Sequence, residues 1–413
     1  MRLLLPVPAP KQWKYRLALF LLTIDGIIFR AELALLLAIQ TLFLLLTKRV
    51  TVQNEILPAG IAGVAIGLAA TISIDSFFWQ HWPLWPELSA FSFNVMSGQS
   101  SVWGVQPWHF YFLNALPRLL LNPTTYFLAI PISLVYHPAT GAASMCMLVP
   151  SLLFVAAYSL QSHKEWRFIV YVIPSLTASA ALGAAYVWTR RTRSLLYQLL
   201  SLGMVLSTVA SFLLSSLVLL PASAANYPGG RALSMLHRYH DTTTHTSEIS
   251  PPSEEISVYL GNLACQTGVT RFIQSPTTSS AETVVWYYDK TENDTQKSAP
   301  SFWKQFDYAL VEVDGEDEKR LISDDDDETA YEGVDLVYGF AGIKVVRPGV
   351  DVLDRGSGRS VEEDIAGALF SADGVEKWRH ARKNIRRMFT RGWWLEIWME
   401  PRVRIMRRVY DRE

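Results

Sequence analysis

Long runs of apolar residues, with polar interruptions at short intervals, dominate the first half of the chain. The stretches Leu17–Phe29, Leu33–Thr47, Ile56–Ile74, Thr124–Tyr136, Gly141–Leu160, Phe168–Trp188 and Leu195–Pro221 hold few charges. A spanning helix needs about 20 mostly apolar residues, so these seven read as membrane helices. The first two are short and flank Arg30 and Glu32, which suits a hairpin; a single long span with a buried ion pair is the costlier alternative. The fourth is also short and is expected to begin near Trp108–Leu121, with a break at Pro117. After Pro221 the pattern turns polar and mixes helical signals with short β-like runs such as Val284–Tyr288. Residues 291–375 are acidic, with four aspartates at Asp324–Asp327 and expected disordered loops. Residues 376–413 interleave Trp378, Trp393, Trp394 and Trp398 with arginine, the pattern of an amphipathic helix on a membrane surface or docked on its own domain.

Charge sharpens this division. Of 37 basic and 38 acidic residues, only 13 and 6 lie in residues 1–220, too few to cover a water-soluble domain of that size. The fold class is therefore mainly α, a polytopic helix bundle followed by a smaller mixed α/β region. Its expected parts are a leader (1–16), a transmembrane module of about seven spans (17–221), a C-terminal domain (222–290), an acidic insert (291–375) and a basic Trp/Arg tail (376–413). The two cysteines, Cys146 and Cys265, exclude a disulfide scaffold. No basic domain emerges, which argues against a nucleic-acid partner.

Orientation follows from Lys and Arg in the short loops. If Lys11–Arg16, Lys48–Arg49 and Arg190–Arg193 are cytosolic, the loop at Arg30, the long loop 75–107, the loop 161–167 and the C-terminal region share the opposite side. The sequon Asn293-Asp294-Thr295 falls on that side.

Chemistry-bearing residues concentrate in those three loops. Gln161-Ser162-His163-Lys164-Glu165-Trp166-Arg167-Phe168 places four titratable groups in five positions between membrane helices. Snorkelling accounts for Lys164 and Arg167 but not for the neighbouring His163 and Glu165. Three potential cations at a membrane boundary suit a phosphate or diphosphate. Arg30 reads equally as a partner of Glu32 or as a fourth phosphate ligand. Asp75 ends a span, as a candidate acid or base or a plain helix end. The 103–112 loop contributes Trp103, Trp108 and His109, whose rings suit a sugar face or an interfacial belt. No phosphate-binding glycine loop or metal-ligand cluster is recognisable, so no cofactor and no metal are expected. His237, His240 and His245 are read as ordinary surface residues, and Gly229-Gly230 as a turn.

Taken together, these segments resemble a known family. HKEWRF at 163–168, DSFFW at 75–79, WGVQPWHFYF at 103–112 and IFRAEL at 28–33 are similar, in order, to the motifs of the GT-C mannosyltransferases. Within the family, IVYVIP at 169–174, NYPGG at 226–230, CQTGVTRF at 265–272 and WYYDK at 286–290 look most like the alpha-1,6-linking branch. The resemblance implies mannose transfer in the endoplasmic reticulum membrane. The donor would be dolichyl-phosphate mannose, the acceptor a lipid-linked oligosaccharide of N-glycosylation, and the C-terminal region luminal. It implies an inverting displacement in which His163, Lys164 and Arg167, helped by Arg30, hold the donor phosphate. Trp103, Trp108 and His109 would then line the acceptor groove. The family carries its catalytic acidic motif upstream of the hairpin at 28–33, where this chain holds only Asp25. The chain thus resembles the C-terminal two-thirds of such an enzyme, and Asp75 stands as a catalytic candidate; the rival expectations are a related alpha-1,2 or GPI-anchor mannosyltransferase and an inert fragment that still binds lipid-linked sugar.

Overall fold

A computed structural model describes residues 12–96, 104–135, 138–244, 253–275, 283–323, 331–348 and 358–409. The chain forms two compact units, Met1–Phe212 and Leu213–Glu413.

All seven apolar stretches fold as helices. The first unit contains α1 (Gln12–Ile28), α2 (Glu32–Leu46), α3 (Val52–Trp79), the short α4 (Pro86–Phe91), α5 (Tyr111–Leu120), α6 (Thr125–Val135), α7 (Pro138–Tyr158), α8 (Trp166–Thr189) and most of α9 (Leu195–Ala224). Among the described residues α3, α7, α8 and α9 are long and apolar enough to cross a membrane, and α5 with α6 makes a fifth candidate bent by 111°. At about 1.5 Å per residue, the 17 residues of α1 and 15 of α2 fall short of a full bilayer, as a hairpin permits.

Local chemistry sets these boundaries. At the start of α3 the Thr51 hydroxyl accepts from Asn54 N (3.3 Å) while the Glu55 carboxylate accepts from Thr51 N (2.7 Å), a reciprocal cap. At its end Gln80 turns left-handed, with φ 53°. The α5–α6 break lies at Leu121–Thr124 and not at Pro117. Pro117 lies at the point where the π-helical turn Tyr111–Ala115 passes into the α-helical Leu116–Leu120, and the helix runs on through it. Leu121 instead adopts φ 57°, and Pro123 follows. A broken helix inside a bilayer must find partners for its freed backbone groups. Asn122 supplies them: its Oδ1 accepts from Thr124 N (3.0 Å) and from Ser207 Oγ (2.7 Å), and its Nδ2 donates to Thr208 Oγ1 (3.2 Å).

Packing in this unit relies on small residues, as expected where lipid offers no hydrophobic contrast. A Cβ placed on Gly183 of α8 would lie 1.9 Å from the Ala129 carbonyl oxygen of α6. Gly183→Ala should therefore force the two helices apart and lower the thermal unfolding midpoint of the detergent-solubilised chain, by an equivalent of about 1–3 kcal/mol; an unchanged midpoint would show that α6 and α8 do not meet there.

The second unit is built on a sheet of order β2-β1-β3-β6-β4, with the two-residue β5 also on β6. Its strands are β1 (Ser253–Leu260), β2 (Thr283–Asp289), β3 (Tyr308–Glu312), β4 (Tyr331–Val346), β5 (Arg359–Ser360) and β6 (Trp394–Arg408). β1 runs parallel to β2 and β3, whereas β6 runs antiparallel to β3 and β4. α10 (Pro228–Thr244) lays Ala232, Leu233 and Leu236 on one face against Ile256, Val258, Leu310 and Val403; Tyr259, Trp303, Phe306 and Met406 form a second core.

Three sequence expectations change here. The segment 394–408 is a strand flanked on both sides, so Trp394 and Trp398 belong to a sheet and not to an amphipathic helix. The acidic stretch 291–375 contributes β3, β4 and β5 to that same sheet; Asp324–Asp327 lie outside the described residues. His237 and His240 are not surface residues. His237 Nε2 lies 2.9 Å from the Tyr288 hydroxyl, both rings pack edge-on against Trp286, and His240 is buried. His245 lies outside the described residues.

Burial lowers the His237 pKa from 6.5, more than Asp241 raises it. The fold therefore resists a proton that the unfolded chain accepts near pH 6.5. The contribution is fully present above that value and is lost as pH falls below it. The unfolding midpoint should drop between about pH 7.5 and about pH 5.5, and drop less in His237→Asn; equal pH dependence in the two proteins would assign the effect elsewhere.

Candidate functional site

The polypeptide between α7 and α8 is short, which puts Gln161–Glu165 at the mouth of two buried helix ends. Phe154, Val155, Ile169 and Val172 close the core beneath it, with Tyr111 and Leu116 of α5 against them. This packing brings the 104–109 segment beside the loop, and hydrogen bonds join the two. Gln106 N donates to Ser162 O (3.1 Å), His163 Nδ1 lies 3.1 Å from Gly104 O, and Lys164 Nζ donates to Gln106 O at 2.9 Å and to Gln161 O at 2.5 Å. Lys164 is only 6% exposed, and burial lowers its pKa. Its ammonium is thus committed to two main-chain carbonyls, one from each loop.

His163 and Arg167 converge on Glu165, which lies between them. Arg167 grips it bidentately, Nε to Oε2 at 2.6 Å and Nη2 to Oε1 at 2.7 Å. His163 Nε2 stands 3.0 Å from Glu165 Oε1. Both ring nitrogens of His163 are thus engaged, one by Gly104 O and one by Glu165 Oε1. The Arg167 side chain is 54% exposed, against 15% for His163. A guanidinium has five N–H donors and Glu165 takes two, so Arg167 has capacity for a further anion. Its guanidinium lies 5.5 Å from the Phe168 ring centre, and Phe168 contacts both His163 and Tyr158.

The Arg30 hairpin tip reaches the same end of the bundle by another route. Trp85 Nε1 donates to Ile27 O (2.9 Å), and Ala31 N donates to Glu87 Oε2 (2.7 Å). Desolvation raises the Glu87 pKa, opposed by that hydrogen bond. Arg30 is exposed, and Arg30 and Glu32 act electrostatically on Tyr158 and Tyr171, the aromatic side of the 161–168 loop. Three loops distant in sequence therefore gather at one end of the unit.

Of the remaining candidates, Trp108 and His109 are exposed and edge-on to each other (5.7 Å), whereas Trp103 lies outside the described residues. Asp75 sits inside α3, and its Oδ2 accepts from Thr71 Oγ1 at 2.5 Å. Phe77, Phe78 and Trp79 beyond it point outward, 67–71% exposed, as an interfacial girdle would. Two roles were hidden from the sequence: Glu165 as the carboxylate that holds both His163 and Arg167, and Glu87 as the clasp on the hairpin. The His-x-Glu-x-Arg spacing was the only visible trace of the first; the second had none. No group of His, Cys, Asp and Glu suited to a metal ion occurs among the described residues.

The model of the Alg9-like mannosyltransferase family matches residues 3–274. A probable Dol-P-Man:Man(7)GlcNAc(2)-PP-Dol alpha-1,6-mannosyltransferase of Schizosaccharomyces pombe is 39% identical over 293 residues, 71% of this chain and 48% of that protein. The Dol-P-Man:Man(7)GlcNAc(2)-PP-Dol alpha-1,6-mannosyltransferase of Saccharomyces cerevisiae is 33% identical over 72% of this chain and 50% of its own length. A GPI mannosyltransferase 3 of Yarrowia lipolytica is 32% identical over 40% of this chain and 30% of its own. The chain spans about half the length of the first two relatives. No solved structure matches.

Proposed function

Because the chain belongs to the Alg9-like mannosyltransferase family, we propose that it acts in mannose transfer from dolichyl-phosphate mannose to a lipid-linked oligosaccharide. The linkage is alpha-1,6, the site faces the endoplasmic reticulum lumen, and the C-terminal unit lies on that side. What supports the linkage is that the Schizosaccharomyces pombe and Saccharomyces cerevisiae alpha-1,6 relatives cover 71% and 72% of the chain, while the Yarrowia lipolytica GPI-type relative covers 40%.

The observation that carries the reading is the stitched pair of loops with Arg167 at its exposed edge. In the transfer, the acceptor hydroxyl oxygen attacks the anomeric carbon, the bond from that carbon to the phosphate oxygen breaks, and the hydroxyl proton passes to a base. Negative charge grows on the departing phosphate. A guanidinium fixed by Glu165 at a lipid–water boundary meets that charge without reorganising, which is how preorganised donors lower a barrier. Arg30 adds to this field. Lys164 holds the floor of the site, and Trp108 and His109 offer ring surfaces to the sugar. Glu165 is engaged by Arg167 and His163, and Asp75 stands as a candidate base, with one oxygen already taken by Thr71.

The test is an assay of membranes from cells that lack their own alpha-1,6 enzyme and express the full chain. Labelled dolichyl-phosphate mannose and the seven-mannose lipid-linked acceptor should give an alpha-1,6-linked product. Transfer to a glycosylphosphatidylinositol precursor instead, or no transfer to either acceptor, would overturn the proposal.

A further inference from the structure

Between α6, α8 and α9 the first unit holds a cavity of about 610 Å³, in the size range of small-molecule sites. Ala180, Ala181, Ala184 and Ala185 of α8 line one wall, and Met204 and Val205 of α9 another. Alanines at that spacing share one side of a helix, and their short side chains leave the room. The α8 wall runs from Thr177 to Trp188, roughly 16 Å. That is about half of a bilayer's hydrocarbon core, the depth of one leaflet. At one end lies Asn122, whose Nδ2 donates to Thr208 Oγ1 (3.2 Å), both residues lining the cavity. At the other end stands Trp188, 49% exposed, with the Arg191 guanidinium 4.3 Å from its ring centre. Arg191 Nη1 also donates to Trp188 O (2.9 Å), which ties the cation to that end. Arg190 and Arg193 belong to the same turn, Arg193 N donating to Arg190 O (2.9 Å). No Asp or Glu occurs between Glu165 and Asp241, so no carboxylate close in sequence neutralises this turn. The cavity persists because α9 packs loosely: 6% of its apolar stretch is buried, against 39% for α8. In a bilayer hydrocarbon fills such a gap, since bare walls forfeit dispersion contacts.

We propose that this cavity binds one anionic phospholipid, with an acyl chain between α8 and α9 and its phosphate on Arg191. Depth and charge together choose the occupant. A groove one leaflet deep fits an acyl chain that enters from the Trp188 end. There the guanidinium, with five N–H donors and Trp188 O taking one, meets the phosphate at the interface where aromatic and basic residues sit. The Lys/Arg bias of the short loops gives this turn the cytosolic side, and the cytosolic leaflet is the one that carries anionic phospholipid. A neutral polyprenol would fill the groove but leave three cations unmatched. The inference stands whether or not the chain transfers mannose.

The experiment reconstitutes the full chain in phosphatidylcholine nanodiscs with a trace of phosphatidylserine or phosphatidylcholine that bears a photoreactive diazirine at the end of one acyl chain. Irradiation followed by peptide mapping should place adducts near Thr177 and Val209, which line the deep part of the groove. The yield there should be at least about tenfold higher from phosphatidylserine. Arg191→Gln should cut it at least about tenfold, at an unchanged unfolding midpoint because Arg191 is exposed. Ala181→Phe, also at an exposed position, fills the groove and keeps the charge. It should remove the groove adducts and spare those on other lipid-facing helices. Adducts scattered evenly over every lipid-facing helix, equal groove yields from the two lipids, or a groove yield indifferent to either substitution would overturn the proposal.

Discussion

Replacing Lys164 with methionine should uncouple the two loops and nearly abolish mannose transfer, although the ammonium itself touches no substrate. Methionine is close to lysine in length and fills the space, so the loss would be that of two hydrogen bonds. Gln106 O and Gln161 O would each be left without a donor beside a buried side chain. Gln106 is exposed and Gln161 half-buried, so water can reach the freed carbonyls and the loss is that of two part-buried hydrogen bonds, about 1–3 kcal/mol together, enough to loosen the 104–108 segment. A protease cleaving near Trp108 should act at least tenfold faster on Lys164→Met than on the parent chain, and the unfolding midpoint should fall. Lys164→Arg should recover part of both, since a guanidinium can reach two carbonyls but needs more room. Unchanged proteolysis and transfer in Lys164→Met would show that the loops hold together without this residue, and would return Lys164 to the phosphate.

Arg167→Ala should leave the fold intact and lower transfer by a factor of about 100–1,000, the usual cost of removing one donor aimed at developing charge. The ion pair with Glu165 is about half-exposed, and pairs of that kind contribute little to stability. The effect should fall on kcat more than on KM, because the phosphate gains charge as the sugar leaves. Arg167→Lys should restore little, since an ammonium cannot both grip Glu165 bidentately and reach an anion. A variant that melts with the parent yet transfers at the parental rate would remove Arg167 from the chemistry.

These expectations draw on features that were unequally visible in the sequence. Apolar runs located the helices of the first unit, among them the four long and apolar enough to cross a membrane among the described residues, because composition decides what can enter a bilayer. The hairpin at Arg30 was legible for the same reason. The break between α5 and α6 was misplaced at Pro117 because the decisive event is a left-handed Leu121, and its stabilising partners Ser207 and Thr208 lie over 80 residues away. The segment 394–408 gave no two-residue alternation, since β6 is flanked on both sides and buries Glu396, Ile397, Trp398 and Met399 in succession. His237 and His240 looked like surface residues because the Trp286 and Tyr288 rings that cover them come from a distant strand. In the candidate site, the spacing of His163, Glu165 and Arg167 pointed to charge but not to its division of labour. Which cation faces outward is decided by the burial of Lys164, which depends on a loop 58 residues earlier in the chain.

The central claim is that Arg167, set by Glu165 and backed by the stitched loops, grips the phosphate of a polyprenol-borne sugar. Its most direct test is equilibrium binding of dolichyl phosphate to the full chain in neutral nanodiscs, comparing the parent with Arg167→Gln. The account predicts saturable binding by the parent that weakens at least about tenfold in the variant, the scale of one charge-assisted hydrogen bond. Equal affinity in the two proteins would contradict it.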